Sequence, residues 1–140
     1  MKLTIPKSIY EQMIDHCRAG LPNEACGFLA GRAGAVERII PLENAAASPV
    51  YYRPDDRQMI AAMREIDDGD LELSAIFHSH VASAPRPSVT DIREAHYPDS
   101  VYLIVSLVDL SNPEARGWFI RKEDWRDESG EVEEVNLVLS

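Results

Sequence analysis

The feature that most constrains the fold is a strand-like apolar run that ends in two histidines. Residues 71–77 form this run, and His78-Ser79-His80 follows it directly. On a strand, residues i and i+2 point to the same face, so His78 and His80 present both imidazoles together. Such a pair amounts to half of a zinc coordination shell. The pair alone is unspecific, because a histidine at a strand end is more often a satisfied core or surface residue.

The segment after the strand supplies a third candidate ligand. Residues 81–87 form a proline-broken loop, and a helix is predicted over residues 88–96. Asp91, in the first turn of this helix, could fold back over the strand end as an oxygen ligand. Ser88-x-x-Asp91 is also a plain helix N-terminal signature, with Ser88 as the N-cap, and the two roles are compatible. Three protein ligands leave one zinc position open for a water molecule, which is typical of a catalytic site.

The complete spacing resembles that of a known family. His-x-His, seven residues, Ser, two residues and Asp together match the motif of the JAMM (MPN-plus) metalloproteases. Residues 22–31 resemble the family's first segment, in which a glutamate, here Glu24, precedes a Cys-Gly strand. Residues 101–107 and 116–120 resemble the strands that close the family's sheet, so the match spans nearly the whole chain. Val81 replaces a proline that many relatives carry, and this change removes no ligand.

The resemblance is strongest to the short bacterial members of the CysO-cysteine peptidase type, through Asn44-Ala45 and Tyr52-Arg53. It implies a single α/β domain of the JAMM/MPN (cytidine-deaminase-like) fold over residues 1–140. It also implies a metal site with one Zn²⁺ per chain and a bound water molecule. The implied ligands are His78, His80 and Asp91, with Glu24 as general base and acid and Ser88 as the donor that stabilises the oxyanion.

The resemblance further implies the substrate class. Enzymes of this type cut after the C-terminal Gly-Gly of a small β-grasp ubiquitin-like or sulfur-carrier protein. We expect the extended tail to add as a strand beside an exposed sheet edge. Cysteine, or another amine, would then be the leaving group, which would connect the enzyme with cysteine biosynthesis.

Charge and composition limit the classes of binding partner and indicate the cellular compartment. The chain of 140 residues has a formal charge of −10 and a pI near 4.8, which argue against nucleic acid and anionic membranes as partners. Residues 1–6 lack the apolar core of a signal peptide, so a cytoplasmic location is expected. The two cysteines, Cys17 and Cys26, are expected to be reduced core residues rather than nucleophiles.

The periodicity of the remaining segments predicts a mixed β-sheet flanked by helices. His16 is predicted to face solvent, and His96 is not expected to be a ligand because it follows Asp91 by five residues. A hairpin turn is predicted at residues 31–34. Helices are predicted between Pro6 and Gly20 and over residues 55–68 and 88–96, and strands over residues 25–30, 35–42, 71–80, 101–108, 115–121 and 131–138.

Two other functional classes are considered. Metal-free relatives within the family serve as scaffold or interaction modules, but they have lost ligands that this chain retains. A zinc deaminase would also use histidine, yet that class shows His-x-Glu together with Pro-Cys-x-x-Cys, and neither pattern occurs here. Zinc content and cleavage that a chelator abolishes would separate an enzyme from a scaffold.

Overall fold

Seven strands and three helices form the chain in a computed structural model that describes residues 1–140. The helices are α1 (Lys7–Ala19), α2 (Asp56–Asp68) and α3 (Val89–Glu94). The strands are β1 (Lys2–Ile5), β2 (Cys26–Arg32), β3 (Ala35–Leu42), β4 (Glu72–His80), β5 (Val101–Ser106), β6 (Glu114–Arg121) and β7 (Glu131–Leu139).

The strands form one mixed sheet in the order β1-β3-β2-β4-β5-β6-β7. β4 is parallel to β5, and β1 is parallel to β7 and β3, whereas the other neighbours are antiparallel. The predicted mixed sheet flanked by helices is therefore confirmed. The sheet also closes into a barrel, because β1 pairs with β7 along four residues and with β3 through Thr4 and Ala35. β1 was not predicted, because its four residues are too few to show a strand pattern.

The two faces of the sheet carry separate apolar clusters. One cluster combines the apolar face of α1, represented by Met13 and Cys17, with Phe77 of β4. The other combines α2, through Ala62 and Ile66, with Ile76 of β4. Because both faces of β4 are covered, it reads as an almost continuous apolar run rather than as a strict alternation.

Several predicted boundaries differ from the structure by one or two residues. α3 ends at Glu94 rather than His96, because Ala95 adopts an extended backbone (ψ 124°). β5 ends at Ser106 instead of Val108. The predicted hairpin turn consists of Ala33 and Gly34, which both have positive φ, as a tight two-residue hairpin requires. None of the three helices has the length and apolar character needed to span a bilayer.

Candidate metal centre

The central position of β4 fixes the backbone of both histidines. His78 lies opposite Cys26 of β2 and beside Ile104 of β5, and His80 lies beside Ser106 of β5. The two imidazoles leave the same face of β4, as the i, i+2 spacing predicts. His78 is fully buried, and His80 is 5% exposed.

α3 brings Asp91 to the same point through a capping box. The Ser88 hydroxyl oxygen accepts a hydrogen bond from the Asp91 backbone N–H (3.0 Å), and the Ser88 N–H donates to Asp91 Oδ2 (2.9 Å). The predicted N-cap role of Ser88 is therefore confirmed. The reciprocal bonds also fix the carboxylate of Asp91 in the direction of the two histidines.

The ligand atoms of these three residues converge. Nε2 of His78 lies 3.2 Å from Nε2 of His80 and 3.2 Å from Oδ1 of Asp91. Nε2 of His80 lies 3.0 Å from Oδ2 of Asp91. Two tetrahedral ligands at the usual zinc distances are about 3.3 Å apart, so the two imidazole nitrogens and the carboxylate, which faces each of them with a different oxygen, have the spacing of such a shell. Two imidazole nitrogens that face each other also need a proton or a cation between them. The cluster is thus compatible with a metal site.

The electrostatics of the cluster favour an anionic carboxylate. Burial raises the pKa of Asp91, but hydrogen bonds with His78 and His80 outweigh it and hold this pKa well below its usual range. Burial lowers the pKa of His80, whereas its bonds with Asp91 and with the Ala84 carbonyl raise it, and the net shift is upward. The Ala84 carbonyl accepts from Nδ1 of His80 (2.8 Å), so in the neutral imidazole the proton is on Nδ1 and the Nε2 lone pair is left for a metal.

Glu24 lies next to this cluster because β2 pairs with β4. Its backbone N–H donates to the Ser48 carbonyl (2.9 Å), and its carbonyl accepts from Nδ2 of Asn44 (3.0 Å). The residue is 7% exposed. Burial raises the pKa of Glu24 to about 7, and Asp91 adds to this increase while His80 opposes it. A glutamate in a Pro-Asn turn is usually solvated, and the structure instead buries this one.

Three residues near the site were not recognised as site residues in the sequence. The buried Ser79 joins the strand of the two histidines to the segment of Glu24, Asn44 bonds to the backbone of Glu24 and Tyr51, and the ring of Tyr52 stacks on His78. Their partners lie 7 to 54 residues away, so no local pattern could identify the contacts. Asn44 and Tyr52 did contribute to the family resemblance, which was the only signal for them.

The prediction for His16 was wrong. Nε2 of His16 lies 3.0 Å from the Cys26 carbonyl oxygen, and its ring makes an edge contact with Phe77. We predicted that this half-buried histidine faces solvent because it lies off the main apolar stripe of α1. His96, in contrast, is exposed and packs against Trp125 rather than joining the cluster.

The two cysteines are buried free thiols. Burial raises the pKa of Cys17 and that of Cys26 to about 12, so both remain protonated at neutral pH. Neither thiol is suited to act as a nucleophile.

An apolar cavity of about 210 Å³ adjoins the metal-site cluster at Asp91. Its walls come from the outer face of the sheet, from Met59 of α2 and from the segment that carries Tyr52. The cluster is therefore accessible from one side and packed against the sheet on the other.

Comparison with protein families decides the assignment. The family described as prokaryotic homologs of the JAB domain matches residues 6–127, which includes Glu24 and the whole metal-site cluster. The chain belongs to this prokaryotic JAB family. The family resemblance that the sequence analysis found is thus confirmed, as is the α/β fold with its sheet flanked by helices.

The names of individual relatives of this JAB-family chain describe a peptidase and a desampylase. The CysO-cysteine peptidase of Mycobacterium tuberculosis is 39% identical over 120 residues, which cover 84% of this chain and 82% of the relative. The desampylase of Pyrococcus furiosus is 31% identical over 116 residues, with 83% and 76% coverage. These names support assignment of the chain to the hydrolases.

Solved structures agree with the fold. A solution structure of a Desulfitobacterium hafniense protein superposes with a TM-score of 0.85 at 36% identity and covers 99% of this chain and 92% of its own. The crystal structure of a JAB1/MPN domain protein from Archaeoglobus fulgidus superposes with a TM-score of 0.57 at 17% identity, with 99% coverage of both chains. The second likeness supports the fold alone.

Proposed function

We propose that this chain, as a single domain over residues 1–140, is a zinc metallopeptidase. Its substrate is the amide bond after the C-terminal Gly-Gly of a small ubiquitin-like or sulfur-carrier protein with a β-grasp fold. The observation that carries the proposal is the convergence of His78, His80 and Asp91 next to the buried Glu24. The peptidase names of the relatives support the reaction type.

The proposed metal ligands are Nε2 of His78, Nε2 of His80 and a carboxylate oxygen of Asp91. Two imidazoles and one carboxylate form a donor set that suits zinc, and three protein ligands leave a position open. A bound Zn²⁺ ion would acidify a water molecule and polarise the carbonyl of the scissile amide. The low pKa of Asp91 keeps its carboxylate anionic at neutral pH, and the bond from Nδ1 of neutral His80 to the Ala84 carbonyl leaves the Nε2 lone pair for the ion.

Glu24 is the proposed general base and acid. Its carboxylate takes a proton from the attacking water and gives it to the leaving nitrogen. Proton transfer in both directions is most effective when the pKa of the group lies near the working pH, and burial raises the pKa of Glu24 to about 7. A cation on the neighbouring ligands would lower this value, because it favours the charged carboxylate.

Ser88 is the proposed donor to the oxyanion of the tetrahedral intermediate. Its hydroxyl oxygen accepts the N–H of Asp91 at the start of α3, which uses a lone pair but leaves the hydroxyl proton free. Ser88 is exposed, so this proton can reach a substrate oxygen. Capping and oxyanion stabilisation are thus compatible in one side chain.

The outer edge of β3 supports the proposed addition of the substrate tail as a strand. On this side β3 pairs with β1 only at Ala35, so residues 36–42 have no strand partner there. The edge contains Pro41, a residue that sheets tolerate chiefly on edge strands. It ends at Leu42 opposite Cys26, two residues from Glu24, so an extended tail along β3 would reach the proposed base.

The experiment that tests the proposal is the mass of a sulfur-carrier protein ending in Gly-Gly-Cys after incubation with the zinc-loaded chain. We expect the loss of one cysteine and no loss in a sample treated with a chelator. The Glu24→Gln variant, loaded with zinc to the same content, should leave the carrier intact. An unchanged carrier mass with the zinc-loaded wild type would reject cysteine as the leaving group. Failure with a series of Gly-Gly carriers and amines would reject the peptidase.

A further inference from the structure

His78 lacks the hydrogen bond that usually orients a metal-binding histidine. In most metal sites the ring nitrogen that does not bind the metal donates to a carboxylate, carbonyl or water. His80 follows this rule through its bond to the Ala84 carbonyl. Nδ1 of His78 is buried and has no hydrogen-bond partner. The orientation of the His78 ring must therefore come from another contact.

Tyr52 provides that contact through its ring face. The centroids of the Tyr52 and His78 rings lie 4.4 Å apart, and the ring planes are inclined by 19°. Stacking restricts rotation of the imidazole plane while leaving the ring edge free. The free edge carries Nε2, which points to His80 and Asp91.

Asn44 fixes the backbone on both sides of Tyr52. Its Nδ2 donates to the Tyr51 carbonyl (2.9 Å), and its Oδ1 accepts from the Arg53 N–H (3.0 Å). The Arg53 carbonyl in turn accepts from the N–H of Ala45 (2.8 Å). The short segment that carries Tyr52 is therefore held at both ends although it is neither helix nor strand.

We propose that Tyr52, held in place by Asn44, is a positioning residue that orients His78 for metal binding by ring stacking. The stack replaces the hydrogen bond that Nδ1 of His78 lacks. This inference rests on the proposed metal site and extends it to a residue that is not one of the proposed ligands. Asn44 also donates to the Glu24 carbonyl, so one side chain holds both the stacking segment and the segment of the proposed base.

The test compares zinc affinity in three variants of the full chain. Tyr52→Leu replaces the ring with an aliphatic side chain that cannot stack. Tyr52→Phe keeps the aromatic ring and removes the hydroxyl. Tyr51→Leu is the control, because it changes a neighbouring side chain that does not stack on His78. Affinity is measured by competition with a chromophoric chelator, and site geometry by the visible absorption of bound Co²⁺. We expect Tyr52→Leu to weaken zinc binding about 10-fold and to alter the Co²⁺ spectrum. Tyr52→Phe and Tyr51→Leu should match the wild type.

The outcomes separate this inference from the metal site itself. Wild-type zinc affinity and an unaltered Co²⁺ spectrum in Tyr52→Leu would overturn the role of Tyr52 while leaving the metal site intact. An equal loss of zinc affinity in Tyr52→Phe would also overturn the stacking role, because the hydroxyl rather than the ring face would then orient His78. Absence of zinc and cobalt binding in the wild type would instead reject the metal site. If circular dichroism shows that Tyr52→Leu does not fold, Tyr52→Met takes its place.

Discussion

The hydroxyl oxygen of Ser79 accepts a hydrogen bond from the backbone N–H of Ala25 at 2.8 Å. Ser79 lies between the two histidines, and Ala25 follows Glu24, so this buried bond connects the ligand-bearing strand with the segment of the proposed base. A second bond, from the Ser79 N–H to the Ala25 carbonyl (3.0 Å), joins the same two residues. The pair sets how the two parts of the candidate site lie relative to each other.

Ser79→Ala is expected to lower the free energy of unfolding by about 1–3 kcal/mol, because it leaves the Ala25 N–H buried without an acceptor. Urea denaturation measures the change. Ser74→Ala on the same strand is the matched control, since no hydrogen bond involves the Ser74 side chain, and its effect should be within about 0.5 kcal/mol. Equal losses in both variants would show that the Ala25 N–H finds another partner.

Glu24→Gln is expected to retain one zinc ion per chain and to lose turnover by about 10²–10⁴-fold, because the amide cannot transfer the proton. The measurement pairs metal analysis with cleavage of a Gly-Gly carrier under single-turnover conditions. Cleavage at the wild-type rate would remove the assignment of Glu24 as the base. Loss of zinc from the variant would point to a structural role for Glu24.

The same substitution is expected to stabilise the metal-free protein at high pH. Burial raises the pKa of Glu24 to about 7 in the folded chain, compared with about 4.3 for an unfolded glutamate. As pH rises through this interval, ionisation favours the unfolded chain, so the free energy of unfolding falls. Glu24→Gln removes this loss, and its advantage should be on the order of 3–4 kcal/mol at pH 8 and absent near pH 4. Denaturant titrations of both proteins at the two pH values provide the comparison.

Substitutions of Ser88 are expected to separate its two roles. Ser88→Gly removes the hydroxyl but costs only a few tenths of a kcal/mol as an N-cap, whereas Ser88→Ala costs about 1 kcal/mol. Both should lower kcat by about 10²–10³-fold with little change in KM, since the hydroxyl is proposed to act on the oxyanion. Ser88→Thr, which keeps the hydroxyl, should restore most of the activity. If turnover followed stability across the three variants, Ser88 would act only as a cap.

His78→Ala is expected to abolish both zinc binding and cleavage, because two remaining ligands are too few for a tight site. His96→Ala should change neither, since His96 is exposed and packs on Trp125. Zinc content after dialysis and carrier cleavage are measured on both variants. Zinc retained at wild-type affinity in His78→Ala would place the metal elsewhere.

The periodic segments of the sequence predicted most elements, because the apolar faces of α1 and α2 and the buried run of β4 are local properties. Strand alternation predicted that His78 and His80 lie together, whereas the convergence of Asp91 with them was implied by the resemblance to the JAMM family. The closure of the barrel depends on the pairing of β1 with β7, which lies more than 130 residues away in the sequence. The four residues of β1 contain no pattern that identifies β7 as their partner. The contacts of Asn44, Tyr52 and His16 likewise depend on distant segments, so only the fold reveals them.

The pairing of β4 on both sides has a consequence for how the protein would acquire the proposed metal ion. His78 and His80 lie on a backbone that β2 and β5 already hold, and the capping box of α3 holds Asp91. The conformational entropy of the ligand backbone is therefore lost when the sheet folds, not when an ion arrives. Small zinc domains fold only when they bind the metal. Here the sheet and the capping box position the ligand residues without a metal. We therefore expect the metal-free protein to stay folded and to bind the ion again after it has been removed.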